Sequence, residues 1–336
     1  MNKFFPTTYM MLDARHCPKR RGLLFELFVF YFAYWVIKMI EGLVAAIPQT
    51  VYFMQDPAFL ALMEPSRLET LTMAEFTAVF AEVAARMPST VVLYSLLATA
   101  VTVAGSIFVC LKLEKRNLSS MGIRRRGALT EYLVGLVAGA GLFALAVLIA
   151  HLSGAVTVAQ NPNANPGLIA LFFLAFMVQA LSEELLCRGY LMMTFARTAS
   201  PVASILTSAL VFAALHSGNI AITPLAFLNI FLVGILFGAY VLKRGSIWGA
   251  AAMHAAWNFL QGNVFGIPVS GMTMDISVFE VALSPVKHHV NGGDFGLEGG
   301  LAVTIVLLLA IGLVLPLRAK ASELAPAPRA EEAPGQ

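Results

Sequence analysis

Long apolar runs, separated by short polar and often basic connections, set the pattern of this chain. Eight such runs stand out, at about 23–47, 90–112, 132–152, 168–196, 201–217, 224–242, 246–262 and 301–318. A helix needs roughly 20 consecutive apolar residues to span a bilayer, and most of these runs come close to that length. The pattern predicts an all-α fold: a polytopic membrane helix bundle of about eight transmembrane helices. The first run follows the basic "KRR" and is longer than the roughly 7–15 residues of a signal-peptide core, so it reads as a retained helix. Residues 1–22 are expected as a cytoplasmic N-terminal segment, 23–318 as the transmembrane domain, and 319–336 as a disordered tail rich in Pro, Ala and Glu.

Two connections are long. In 48–89, Thr72 and Glu75 have capping-box spacing, and Phe76, Phe80, Val83 and Met87 fall on one helical face. A short amphipathic helix on the membrane surface is expected there. The second, 266–300, is rich in Gly and turn residues and reads as a structured cap. Its adjacent His288 and His289 are expected to be a solvated pair. Within the runs, Gly135 with Gly139 and Gly234 with Gly238 have the spacing that lets helix backbones approach closely in lipid.

Composition agrees with this picture. Hydrophobic residues make up 59% and charged residues 12% of the chain, against roughly 25% charged in an ordinary soluble domain. The net charge of +3 gives no reason to expect nucleic-acid binding. The placement of the charges is more informative. Of 22 Lys and Arg, 18 fall in the N-terminal segment, in alternate connections or in the tail. Arg67, Arg86 and Lys287 lie on the opposite side, and Lys38 lies within the first run. Cytoplasmic connections are enriched in Lys and Arg, so both termini are expected in the cytoplasm. Arg188 and Arg197 are counted here as inner charges. The three cysteines, Cys17, Cys110 and Cys187, form no disulfide framework.

The candidate chemistry lies where the runs carry polar residues. An ionisable residue at the centre of a membrane helix costs about 2.5–3.5 kcal/mol by insertion scales and is a functional candidate by default. "LSEELLCRGY" places Glu183, Glu184 and Arg188 in the fourth run. Glu184 and Arg188 are four apart and can neutralise each other. Glu183 projects about 100° away from them and has no obvious local partner. The fifth run ends with Phe212 and His216, also four apart, so the ring can wall the imidazole. The seventh presents His254 and Asn258 on one face. A carboxylate can activate water as a general base, and imidazole and amide groups can hold that water or donate to an oxyanion. The same Glu183, His216 and His254 could instead ligate a zinc ion. Convergence requires a steep tilt or a late start of the fifth helix, because His216 falls nearer the outer end.

The series "EELLCR", "FAALH" and "HAAWN", in this order on apolar helices, resembles the CPBP intramembrane proteases, which include type II CAAX prenyl endopeptidases and relatives linked to bacteriocin processing and immunity. The resemblance covers about 165–262. It implies that Glu183 activates the attacking water together with His216, that His254 and Asn258 form the oxyanion site, and that Glu184 and Arg188 hold the bundle. The family has long been described as metalloproteases; the expectation here is a glutamate mechanism with no metal cofactor, with zinc as the alternative.

The resulting expectation is an intramembrane endopeptidase. It would cleave a membrane-associated protein or peptide in the bilayer of a bacterial inner membrane. Two other readings compete: a non-catalytic scaffold or bacteriocin-immunity protein on the same fold, and a transporter that relays protons. A transporter predicts two related halves with broken helices, and the sequence shows no such repeat.

Overall fold

A computed structural model describes residues 8–15 and 22–318. Cys17 and the tail at 319–336, expected to be disordered, lie outside the described residues. All eight apolar runs contain helix. These are α1 (Leu23–Phe53), α2 (Ser89–Leu113), α3 (Ala128–Leu152), α4 (Pro166–Phe195), α5 (Pro201–Leu215), α6 (Pro224–Arg244), α7 (Trp248–Phe259) and α8 (Leu301–Val314). Five of them, α1 to α4 and α6, are long and apolar enough to cross a membrane. The other three are shorter, with 15, 12 and 14 residues. Helix α7 continues through a wide turn at Leu260–Val264. The sidedness of the termini rests on the connection charges alone.

Local chemistry explains where the core helices begin. Asn165-Pro166, Ser200-Pro201 and Thr223-Pro224 open α4, α5 and α6 with one device. The polar side chain accepts a backbone N–H of the first turn, and proline occupies a position whose N–H has no helical partner. Gly245 closes α6 in the left-handed region at φ 63°.

Small residues set the distances between helices. A Cβ on Gly135 would stand 2.2 Å from the Gly249 carbonyl oxygen, and one on Gly139 would stand 2.3 Å from that of Met253. Helix α7 therefore lies directly on the backbone of α3. Gly234 plays the same part between α6 and α5, where a Cβ would meet Ala209 Cα at 2.8 Å. Helix α4 packs against α7 and α2, and α6 packs against α5 and α8.

Several expectations need correction. The fold is not purely α-helical. A short antiparallel ribbon pairs β1 (Val156–Gln160) with β2 (Phe279–Leu283), in register from Val156↔Leu283 to Gln160↔Phe279. It ties the connection after α3 to the 266–300 cap. Helix α1 runs on through Pro48 to Phe53, so the connection that follows starts later than expected. The capping box at Thr72 and Glu75 is present and opens a helix at Met73–Ala85. The aromatic face of that helix packs in part on the preceding segment, with Phe80 still 44% exposed. Phe80 stacks on Phe53 at 4.6 Å between ring centres, and Phe76 meets Phe59 at 6.5 Å.

The charge count also changes. Arg188 is no loop charge: it is fully buried beside Glu184. Arg197 is buried as well. It bridges Glu26 at 2.5 Å and Glu114 at 2.7 Å, joining α1, the segment after α2 and the end of α4.

Candidate active site

The α-helical part of α4 ends with Glu183 and Glu184, and a wide π-type turn follows over Leu185–Leu191. Such turns free backbone carbonyls from the helical ladder and occur often at functional sites. Here the carbonyls find side chains. Buried Arg116 donates to Gly189 O at 2.9 Å and to Tyr190 O at 3.1 Å. Ser208 on α5 donates to Cys187 O at 2.8 Å. The turn is thus fixed from two sides, just after the paired carboxylates.

Glu184 and Arg188 form the expected ion pair at 2.9 Å, both fully buried. The guanidinium also lies 4.2 Å from the centre of the Phe212 ring, a cation–π contact. Glu184 does more than neutralise Arg188: its Oε1 stands 3.0 Å from His254 Nδ1. A carboxylate there accepts the Nδ1 proton and turns His254 Nε2 towards the cavity.

His216 caps the C-terminus of α5. Its Nδ1 lies 2.8 Å from the Phe212 carbonyl oxygen. That bond assigns the proton to Nδ1 and leaves Nε2 as an acceptor. The Phe212 ring covers the imidazole at 4.6 Å between centres, as the four-residue spacing predicted. The depth problem has a simple resolution. His216, at the C-terminus of α5, comes within 4.0 Å of Glu183.

The two imidazoles meet at one atom. Glu183 Oε2 stands 4.0 Å from His216 Nε2 and 3.8 Å from His254 Nε2. These separations are too long for direct hydrogen bonds and suit one small oxygen species bridging the three groups. The other Glu183 oxygen accepts from Gln179 Nε2 at 2.6 Å, and Gln179 Oε1 in turn accepts from Asn258 Nδ2 at 3.0 Å. Glu183, His216, His254 and Asn258 thus converge from α4, α5 and α7. Asn258 reaches Glu183 through Gln179, keeping a second amide N–H.

These groups line one cavity of about 750 Å³, within the usual range for a ligand site. Sequence reasoning missed three other lining residues. Gln179 was within reach of helix arithmetic, four residues before Glu183. Lys38 lies in α1 and pairs with Glu41 at 2.5 Å, while Glu41 also takes the Thr102 hydroxyl. Glu298 comes from the cap just before α8, and no spacing rule connects it to the motifs. His288 and His289 are exposed and away from the site.

The same donors could in principle surround a zinc ion. Ligands about 2.0–2.1 Å from a tetrahedral metal hold neighbouring donor atoms about 3.3 Å apart. The separations from Glu183 Oε2 to the two imidazoles are wider, at 4.0 and 3.8 Å. Among the described residues, no group of three His, Cys, Asp or Glu has the arrangement of a metal site. The residues fit a metal poorly.

Comparison with known proteins gives one match. Residues 165–260 match the family model described as type II CAAX prenyl endopeptidase Rce1-like. Neither the comparison with curated proteins nor that with solved structures gives a match.

Proposed function

For an integral membrane protein that carries a CAAX-protease domain of the CPBP family, we propose peptide-bond hydrolysis by a glutamate-activated water. The observation that carries this reading is the placement of Glu183 Oε2 between two imidazole Nε2 atoms, at 4.0 and 3.8 Å. A water held there donates one proton towards Glu183 and its other towards His216 Nε2, whose lone pair is free because Nδ1 donates to Phe212 O. Glu183 takes the proton as the water oxygen bonds to the peptide carbonyl carbon. His254, with its Nδ1 proton held by Glu184, presents a protonated Nε2 to the oxyanion that forms. The second amide N–H of Asn258 adds a donor. Glu183 then returns its proton to the leaving nitrogen as the C–N bond breaks. Gln179 keeps Glu183 aligned, and Arg188 offsets the charge of Glu184.

The substrate is a membrane-associated protein or peptide, since the cavity lies among apolar helices. The reading includes no metal and no prenyl requirement.

The test uses the purified full chain in lipid nanodiscs and a pool of acylated peptides, with cleavage mapped by mass spectrometry in ¹⁸O-labelled water. The expected result is one heavy oxygen in each new carboxyl end. Glu183→Gln should lower the rate about 10²–10⁴-fold, the usual size of lost acid–base assistance, with thermal stability retained. Activity lost to a chelator and restored by zinc would replace this mechanism with a metal-dependent one. A wild-type protein that cuts nothing would favour the scaffold or immunity reading.

A further inference from the structure

The carboxylates inside the helical body divide into two groups. Glu26 and Glu114 share Arg197, Glu41 has Lys38, Glu131 has Arg244 and Glu184 has Arg188. Among the described residues, Glu183 and Glu298 face no Lys or Arg within ion-pair distance, and both line the same cavity. The proposed chemistry accounts for Glu183 but not for Glu298.

Glu298 is held with care. Its Oε2 accepts from the Ser270 backbone N–H at 2.9 Å and from the Ser270 hydroxyl at 2.8 Å. Its backbone carbonyl accepts from Asn229 Nδ2 at 2.7 Å. Ser270 and Gly271 form the tip of a tight turn between Val269 and Met272, with φ of 49° and 87°. The left-handed region is strained for a serine, and the two bonds to Glu298 offset that strain. These contacts use one carboxylate oxygen. The other, Oε1, has no hydrogen-bond partner among the described residues.

Burial pushes the Glu298 carboxyl up from its ordinary range, opposed by the Ser270 bonds. A partly buried carboxylate of this kind gains most when a cation arrives and replaces the lost water.

We propose that Glu298 is the counter-charge for a positively charged group of the substrate. The cavity would then take a peptide with a lysine, an arginine or a free amine close to the scissile bond. This rests on the hydrolase reading for its substrate. The binding site itself does not need that reading, and two separate readouts keep the failures apart.

The first readout is binding alone. Octylammonium and 1-octanol have the same tail and differ in charge. Each is titrated into the full chain in nanodiscs and followed by thermal stabilisation. Wild type should bind octylammonium about 10–100-fold more tightly than Glu298→Gln does, the range for a lost hydrogen bond to a charged group. Octanol should not distinguish the two proteins. Ser270→Ala, which leaves the carboxylate but loosens it, should fall between them. Equal octylammonium binding by wild type and Glu298→Gln overturns the proposal. So does a variant that loses only stability, which would make Glu298 a brace for the turn.

The second readout is the peptide pool. Wild-type cuts should be enriched for Lys or Arg at one fixed position, and Glu298→Gln should lose that enrichment while still cutting neutral peptides. Enrichment that survives Glu298→Gln also overturns the proposal. If octylammonium discriminates but no peptide is cut, the hydrolase reading fails and the cation site stands.

Discussion

Two buried ionic clusters share this molecule and are built differently. Around Arg197, charges touch: Glu26 and Glu114 lie at 2.5 and 2.7 Å and tie three chain segments together. Around Glu183, the charges and imidazoles stand off: 4.0 and 3.8 Å separate the carboxylate from its two histidines, although each imidazole is fixed by a close bond on its far side. The first cluster spends its charges on holding helices. The second holds its members rigid but apart, leaving room for a reacting atom. Rigid far sides with open near sides are what a preorganised site requires.

Removing one arginine from each cluster should separate the two most clearly. Arg197→Ala and Arg188→Ala should each destabilise the protein by about 3–5 kcal/mol, because each takes an arginine away from buried carboxylate. Denaturation in detergent measures the loss. Activity per folded molecule should separate them. Arg197→Ala should leave it unchanged, whereas Arg188→Ala should lower it, since Glu184 also orients His254. Equal behaviour would erase the distinction between the clusters.

Gln179→Leu should be the next largest effect. It removes the bond to Glu183 and the link to Asn258. The expected loss is about 10–100-fold in kcat, the size of a hydrogen bond to a charged group, with KM little changed. A change in KM alone would move Gln179 from positioning to substrate binding.

Gly139→Ala follows. Its Cβ would fall 2.3 Å from the Met253 carbonyl oxygen, so α7 must shift. A loss of about 1–3 kcal/mol is typical of such overpacking, and the shift displaces the neighbouring His254. Thermal stability and activity should fall together. The smallest effect should come from Thr72→Ala. It removes a helix cap worth about 1 kcal/mol far from either cluster, and should alter neither activity nor the main unfolding transition.

Much of the helical frame was legible because helix arithmetic is local. The pairing of Glu184 with Arg188, the cover of Phe212 on His216 and the close approach at Gly135 and Gly139 all follow from four-residue spacing. Other features depend on what folding brings together. The bond from His254 to Glu184 spans 70 positions, and Glu298 meets Ser270 across a cap whose turns carry no periodicity. The π-type turn at 185–191 is stabilised by Arg116 and Ser208 from other elements, so its own residues read as plain helix. The ribbon of β1 and β2 escaped for the same reason, since its strands lie in two distant connections.

The shortness of α5 has a consequence for the surrounding lipid. Its 15 residues rise about 22 Å at 1.5 Å per residue, and the 14 of α8 rise about 21 Å. A hydrocarbon layer is roughly 30 Å thick. Both helices line the cavity, through Phe212 and Leu215 on one and Val303 and Leu307 on the other. Acyl chains beside short helices compress to meet them. A bilayer that adjusts to these helices is expected to be thinnest next to the cavity, which would bring headgroup water closer to Glu183 than beside a full-length span. Tail length then becomes a control on the protein, with long saturated acyl chains opposing the dimple that brings water and substrate within reach.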